Sequence, residues 1–296
     1  MSTGPARLRS LLRRDVPIVA PLALDPLAAL TAEAVGFESL YIGGGALGYT
    51  KTFTEANLAL SELIDVGNDV RAVSDLPLML DGTCGWGDPM HIRHTIAVAE
   101  AAGMAAIELE DQLFPKRAHH HIDIEHLIPL ELMVAKIEAA VSARRDQDFT
   151  IIARTNACRT DDLGEARRRA EAYQNAGADL LLVMPRTPEQ AEGIATTIDA
   201  PLVYMTLGGV PSMGMSLEEA GSLGYRIVID AMTPLLAKQK ALRLCYDAIA
   251  RGDADPTFGS NYGDEVDKIH HLIGLESMLA IERRTVETHS YIPAKQ

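Results

Sequence analysis

What this 296-residue chain has little of narrows its class before any motif is read. Its three cysteines, Cys84, Cys158 and Cys245, are widely spaced and form no CxxC pair. A disulfide framework is therefore not expected, and a reducing cytoplasm is the natural setting. Aromatic residues make up 5% of the chain against 47% hydrophobic residues overall, so the core must be aliphatic. No apolar run is long enough to span a bilayer, and the early Arg7, Arg9, Arg13 and Arg14 are followed by none, so neither a secretory signal nor a membrane span is expected. Those arginines fit a short amphipathic helix. Positive charge is scarce: 27 Lys and Arg stand against 41 Asp and Glu, a formal net charge of −14. This balance argues against nucleic acid or an anionic membrane as partner. An anionic substrate would need a local cationic trap or a metal.

What is present is a repeated alternation. Apolar, β-compatible runs are expected at 17–23, 39–42, 76–80, 105–109, 149–153, 180–183, 201–204 and 226–229, and helices at 8–14, 27–35, 91–102, 130–143, 163–175, 188–196, 216–222 and 234–250. Asp25-Pro26 is a helix-start signal, an N-cap before a proline at the first helical position. Gly36, Gly103 and Gly177 each stand between a helix end and a new strand, as C-cap glycines do. Strands alternating with helices imply a parallel sheet. Eight such units favour a closed (β/α)8 barrel over an open sheet. No Pro- or Ser-rich linker divides the chain, so residues 1–296 read as a single barrel domain. Residues 262–288 read as one extra C-terminal helix whose apolar side (Ile269, Leu272, Ile273, Leu275, Leu279) packs on the barrel or on a neighbouring subunit.

In such a barrel the catalytic residues sit at the C-terminal ends of the strands. Here those ends are Gly43-Gly44-Gly45, Asp81, Glu110 with Asp111, Arg154, Met184, Met205 and Asp230. Glu108 and Glu110 share one face of their strand by its period of two. A carboxylate at the end of a buried strand needs a cation or a metal. Asp81, Glu110 and Glu108 are thus candidate ligands of Mg²⁺, or of Mn²⁺, with water and substrate completing the shell. Glu108 sits deeper and has a second reading, as the partner of an arginine. Arg154 suits a substrate carboxylate, and the glycines suit backbone N–H donation to an anionic oxygen. A strand-end Asp equally caps a following helix, and Asp88-Pro89 is read as such a start. His119-His120-His121 is either a solvated loop with one useful member or a source of an acid or base. Cys84 is read as a small buried residue under the active-site loop rather than as a nucleophile.

Three segments together carry a resemblance. Asp81-Gly82-Thr83-Cys84-Gly85-Trp86-Gly87 resembles the Asp-x-Asp-x-Gly-Tyr/Phe-Gly segment of the isocitrate lyase/phosphoenolpyruvate mutase superfamily. Glu110-Asp111-Gln112 with Pro115-Lys116-Arg117 is similar to its Glu-Asp-Gln-x-x-Pro-Lys-Arg signature, and Ile151 to Ala157 resembles its Ile-x-Ala-Arg-Thr-Asp-Ala strand. The likeness runs over roughly residues 5 to 250. It implies a (β/α)8 barrel that exchanges its last helix with a neighbour and forms a homotetramer, a dimer of dimers. It also implies bound Mg²⁺ and a 2-oxo or 2-hydroxy acid, and C–C or P–C chemistry through an enolate-like species. By position, Asp81 and Glu110 correspond to metal-shell carboxylates, Arg154 to the arginine on the substrate carboxylate, and Lys116 to the lid lysine.

The departures from that pattern bear on the reaction. The Lys-Arg-Cys-Gly-His of the lyases reads Lys116-Arg117-Ala118-His119-His120 here, and Ala118 cannot donate a proton. Thr83 replaces a second metal-shell Asp, and Gly43 replaces a hydroxyl residue. Met184 and Met205 fall where the lyases place a substrate-contacting Glu and Asn, and Leu47-Gly48-Tyr49-Thr50-Lys51 lacks a Pro-Asp. Ordinary isocitrate or methylisocitrate lyase activity is therefore not expected. The two methionines suit a less charged substrate end, and His119, His120, Tyr49 or Cys84 are left to supply the acid. The expectation is a Mg²⁺-dependent C–C lyase acting on a 2-hydroxy or 2-oxo acid. The alternatives are an oxaloacetate-type decarboxylase, a phosphonopyruvate hydrolase or phosphonomutase, or a non-catalytic member that binds a keto acid.

Overall fold

A computed structural model describes residues 3–160, 163–259 and 261–287. They fall into two compact units that divide after Leu235. The first holds eight strands: β1 (Ile18–Pro21), β2 (Leu40–Ile42), β3 (Leu78–Asp81), β4 (Ala106–Glu110), β5 (Thr150–Thr155), β6 (Leu180–Val183), β7 (Leu202–Thr206) and β8 (Tyr225–Asp230). All adjacent pairs are parallel, in the order β1-β8-β7-β6-β5-β4-β3-β2. A parallel bridge between Leu22 and Tyr41 joins the two ends, so the sheet closes into the expected (β/α)8 barrel. None of the helices among the described residues is long and apolar enough to cross a membrane.

The helices in chain order are α1 (Gly4–Leu11), α2 (Pro26–Val35), α3 (Gly44–Thr50), α4 (Leu60–Arg71), α5 (Pro89–Ala101), α6 (Leu130–Ala143), α7 (Ala157–Thr160), α8 (Leu163–Asn175), α9 (Pro188–Thr197), α10 (Leu217–Ser222), α11 (Thr233–Arg251), α12 (Tyr262–Leu272) and α13 (Leu275–Arg284). Asp25 caps α2 as expected, its Oδ1 accepting the Ala28 N–H at 2.8 Å. Gly36, Gly103 and Gly177 take φ of 104°, 74° and 99°, the left-handed turn from helix to strand that a Cβ disfavours.

The strand period of two sorts the core into two layers. Ile18, Ala20, Tyr41, Met79, Ala106, Ile152, Leu182, Val203 and Ile227 form one buried cluster inside the barrel. Leu40, Leu78, Ile107, Ile151, Leu181 and Val228 form another with the helix residues Leu63, Ile92, Ile96, Met133, Ile137 and Tyr173. Since Ala106 faces inward, so do Glu108 and Glu110.

Three local readings change. Helix α4 occupies a stretch read as having no element, between the second and third strands. Its buried residues Leu63, Ile64, Gly67 and Val70 hold a helical spacing. Its start lacks a Ser, Thr, Asp or Asn cap; instead Glu62 Oε2 reaches back to accept the Ala59 N–H at 2.9 Å. Gly44 and Gly45, read as a strand-end loop, already belong to α3. The single helix expected over 262–288 is two, α12 and α13, because Gly274 turns the chain at φ 70°; position 288 lies outside the described residues. In this second unit Ile269, Ile273, Met278, Leu279 and Ile281 remain exposed.

Candidate active site

The inward residues at the C-terminal end of the barrel divide into a charged and an apolar half. On the charged half, register places Asp81 beside Glu108 and Glu110 beside Arg154 on adjacent strands. All four are buried, and so are Lys116 and Glu55. On the apolar half Met184, Met205 and Ala231 end the inward rows of β6, β7 and β8.

Each carboxylate has defined partners. Asp81 Oδ2 accepts the Gly44 N–H at 2.7 Å and Oδ1 the Thr83 N–H at 2.9 Å. A Cβ at Gly44 would sit 3.1 Å from Asp81 Oδ2, so glycine permits this close approach. The glycine run thus donates to Asp81 through Gly44, while Gly43 caps α3 and Gly45 lies within it. Glu108 Oε1 accepts from Arg154 Nη1 at 2.8 Å and Oε2 from the Tyr41 hydroxyl at 3.1 Å. Its second reading, as an arginine's partner, describes this geometry. Glu110 Oε1 accepts from Lys116 Nζ at 2.6 Å and Oε2 from Asn156 Nδ2 at 3.0 Å. Arg154 also donates through Nε and Nη2 to Asn156 Oδ1 at 3.2 Å.

The electrostatics follow from burial. Desolvation pushes Glu108 up to about 7; Arg154 opposes the rise, and the charge of Asp81 adds to it. Burial likewise raises Asp81. Glu110 is buried too, yet Lys116 and Arg154 hold it well below the usual carboxylate range. Lys116 is raised in turn: burial works against its charge, but Glu110 and Glu55 outweigh it.

A loop from β4 to α6 carries Lys116 and the histidines. Asp111 anchors its start on the helix side, accepting from the Thr155 and Tyr173 hydroxyls at 2.6 and 2.8 Å and from Arg169 at 3.1 Å. The loop returns alongside itself, with Leu113 N–H on the His126 carbonyl and a bridge between Gln112 and Leu127. Lys116 Nζ then joins Glu110 to Glu55 Oε1, 2.9 Å away on the segment between α3 and α4. His121 Nε2 lies 2.7 Å from Glu55 Oε2, and its Nδ1 2.7 Å from the hydroxyl of Tyr49. Tyr49 is 46% exposed. His120 is half-buried beside Glu125, and His119 faces His126 at the surface. Ala118 opens a 3-10 turn, Ala118–Ile122. Cys84 lies buried under the loop, its Sγ donating to the Leu113 carbonyl at 3.6 Å, and burial pushes its thiol up to about 12.

The structure therefore brings Asp81, Glu108, Glu110, Lys116 and Arg154 together, with Gly44 against them and His120 nearby; it leaves His119 and Tyr49 on the rim. Residues not singled out from the sequence are Tyr41, Glu55, Asn156 and Glu125. Asn156 carried a signal, since it lies two residues beyond Arg154 on the same face. Glu55 carried none, because its partners come from a different loop.

A hard divalent cation fits this donor set. Four buried carboxylates (Glu55, Asp81, Glu108, Glu110) stand against two buried cations (Lys116, Arg154); burial disfavours the ionised forms of Asp81 and Glu108, and a divalent ion would supply the positive charge that favours them. No group of three His, Cys, Asp or Glu side chains among the described residues is arranged as a ready metal cage. Water and substrate oxygens would complete the shell, as is usual for Mg²⁺.

The fold and the site define a (β/α)8-barrel protein whose strand ends bury a carboxylate-rich cluster with two buried cations. The profile of the phosphoenolpyruvate phosphomutase family matches residues 8–250. The chain belongs to that family, within the isocitrate lyase/phosphoenolpyruvate mutase superfamily that its motifs resemble. It is 32% identical over 290 residues to a probable 2-methylisocitrate lyase of Corynebacterium glutamicum, covering 94% of this chain and 90% of that one. It is 32% identical over 256 residues to 2,3-dimethylmalate lyase of Eubacterium barkeri, covering 84% and 86%. A phosphonopyruvate hydrolase solved with oxalate and Mg²⁺ superimposes with a TM-score of 0.84 at 30% identity, covering 96% of this chain and all of that one.

Proposed function

We propose that this protein is a Mg²⁺-dependent carbon–carbon lyase, with Mn²⁺ as an alternative ion, that cleaves a 2-hydroxy or 2-oxo acid through an enolate-like intermediate. The observation that carries the reading is the division of the barrel mouth into charged β3–β5 ends and apolar β6–β8 ends. Asp81, Glu108 and Glu110 would hold the ion, which when bound polarises substrate oxygens and stabilises developing negative charge by several kcal/mol. Arg154 and Lys116 supply the fixed positive charge for the substrate carboxylate. Gly44 and Thr83 orient Asp81 through their N–H groups, and Asn156 holds Arg154 and Glu110 in register. Met184, Met205 and Ala231 suit an alkyl substituent better than a further carboxylate, which favours a 2-alkylmalate over a tricarboxylate. The protein would act as a homo-oligomer, a tetramer built as a dimer of dimers, in the cytoplasm.

A second reading is oxaloacetate-type decarboxylation. It also passes through an enolate, that of pyruvate, and makes less demand on a specific proton donor, so Ala118 favours it. Pyruvate release from 2,3-dimethylmalate, oxaloacetate and phosphonopyruvate with Mg²⁺ separates these reactions. Asp81→Ala, Glu110→Gln and EDTA should each abolish turnover. Activity that survives all three would overturn the reading, and Mg²⁺-dependent binding of oxalate without turnover would mark a keto-acid-binding protein instead.

A further inference from the structure

The loop that lacks the family's thiol carries three consecutive histidines, and their surroundings differ. His119 pairs with His126 at the surface, Nδ1 to Nε2 at 3.0 Å. His121 has both ring nitrogens engaged, by Tyr49 and Glu55. His120 is held at Nδ1, which lies 2.8 and 3.0 Å from the two oxygens of Glu125 and 2.9 Å from Gln112 Nε2. Its Nε2 has no hydrogen-bond partner among the described residues and lies 3.9 Å from Glu55 Oε1. That same oxygen accepts from Lys116 Nζ, which also donates to Glu110. The free nitrogen of His120 thus faces the charged half of the site.

Glu125 is itself built into place. Its side chain is fully buried, and it accepts from Gln112 Nε2 at 2.5 Å and from Arg159 Nη1 at 2.9 Å. A buried carboxylate on one imidazole nitrogen fixes the tautomer and the ring orientation and stabilises the imidazolium. Gln112 lies two residues beyond Glu110, and Arg159 follows β5, so the pair is tied to both strands that form the site.

Resting on the lyase reading above, we propose that Glu125 is a positioning residue that aims His120 Nε2 as the proton donor to the carbon released by bond cleavage. For 2,3-dimethylmalate, the 2-hydroxyl loses its proton to water and the C2–C3 bond breaks. Its electron pair stays on C3 as the enolate of the departing acid, and C2 becomes the carbonyl of pyruvate. C3 then takes one proton from the His120 imidazolium, which recovers one from water. No net proton is gained or lost. The imidazole thereby does the work that Ala118 cannot.

The test compares wild type, Glu125→Gln, Glu125→Asp, His120→Gln and the double variant His120→Gln/Glu125→Gln with Mg²⁺ and 2,3-dimethylmalate or oxaloacetate. Circular dichroism establishes that each folds. Glu125→Gln should lower kcat about 100-fold, within the range of general acid catalysis, with KM changed less than about threefold. Glu125→Asp should restore part of the loss, and the double variant should be no slower than His120→Gln alone, as residues acting as a unit behave. If the two losses multiply, or Glu125→Gln raises KM and spares kcat, the proposal is overturned while the lyase reading stands. If Glu125→Gln fails to fold, the comparison of wild type with His120→Gln and Glu125→Asp decides: equal kcat in wild type and His120→Gln overturns it. A wild type that turns over neither substrate removes the lyase reading, and this proposal with it.

Discussion

At the scale of single residues, Glu108 shows how burial and function meet. Its folded value, about 7, lies above the ordinary 4.5, with desolvation the largest cause. Between those values the folded protein retains a proton that the unfolded chain has released. Stability contributed by the protonated form is therefore present at low pH and lost as pH rises through that window. In metal-free buffer, urea unfolding should show the wild type less stable at pH 7.5 than at pH 5, by about 2 kcal/mol from this group. Glu108→Gln should flatten that decline. An unchanged slope in the variant would mean that other groups set the pH dependence. Arg154, read as a substrate clamp, is also the counter-ion that holds Glu108 and Glu110 in the barrel. Arg154→Ala should destabilise the fold by about 3 kcal/mol, as loss of one partner of a buried pair does, whereas a residue serving substrate alone would leave the urea midpoint unmoved.

Among the elements, the segment from α3 to α4 has the clearest consequence for the site. Gly48 in α3 packs directly on the turn that carries Glu55; a Cβ there would lie 2.6 Å from Glu55 N and from Thr54 C. Those atoms are backbone, so relief requires the turn to move. Gly48→Ala should therefore displace Glu55 from Lys116 and His121. The expected result is a stability loss of about 1–3 kcal/mol, typical of overpacking, with a fall in turnover greater than that of an alanine substitution on the far side of the barrel. Thermal unfolding and pyruvate release measure the two effects; full activity in a destabilised Gly48→Ala would detach Glu55 from the reaction. The β4–α6 loop depends on this same contact, because Lys116 and His121 on the loop share the Glu55 carboxylate.

For the whole molecule, the second unit is the informative part. Met278 and Ile281 are 50% and 51% exposed, and Ile269, Ile273 and Leu279 are exposed with them. Exposed apolar residues on neighbouring helices are a natural place to test the homotetramer proposed above. Light scattering coupled to gel filtration should give a tetramer for the wild type and a smaller species for Met278→Glu/Ile281→Glu. A variant that keeps the wild-type mass would place the subunit interface elsewhere.

The sequence by itself determined the barrel and most of the charged half of the site. Strand–helix alternation, an N-cap at Asp25 and glycines at helix ends are local signals, and parallel strands with helical crossovers leave few topologies. Asp81, Glu110 and Arg154 were legible because strand ends define one face. Helix α4 was less so, since it begins with a side chain reaching back from Glu62 rather than with a capping residue, and the Gly274 turn was hidden within a continuous apolar stripe. Only the tertiary structure decided that Glu108 faces Arg154 as well as Asp81, that Glu55 holds the loop residues Lys116 and His121, and that Glu125 holds His120. Periodicity assigns a face to a residue on a strand or helix. It says nothing of a loop residue whose partner arrives from another loop, and those contacts exist only once the barrel brings its strand ends to one rim.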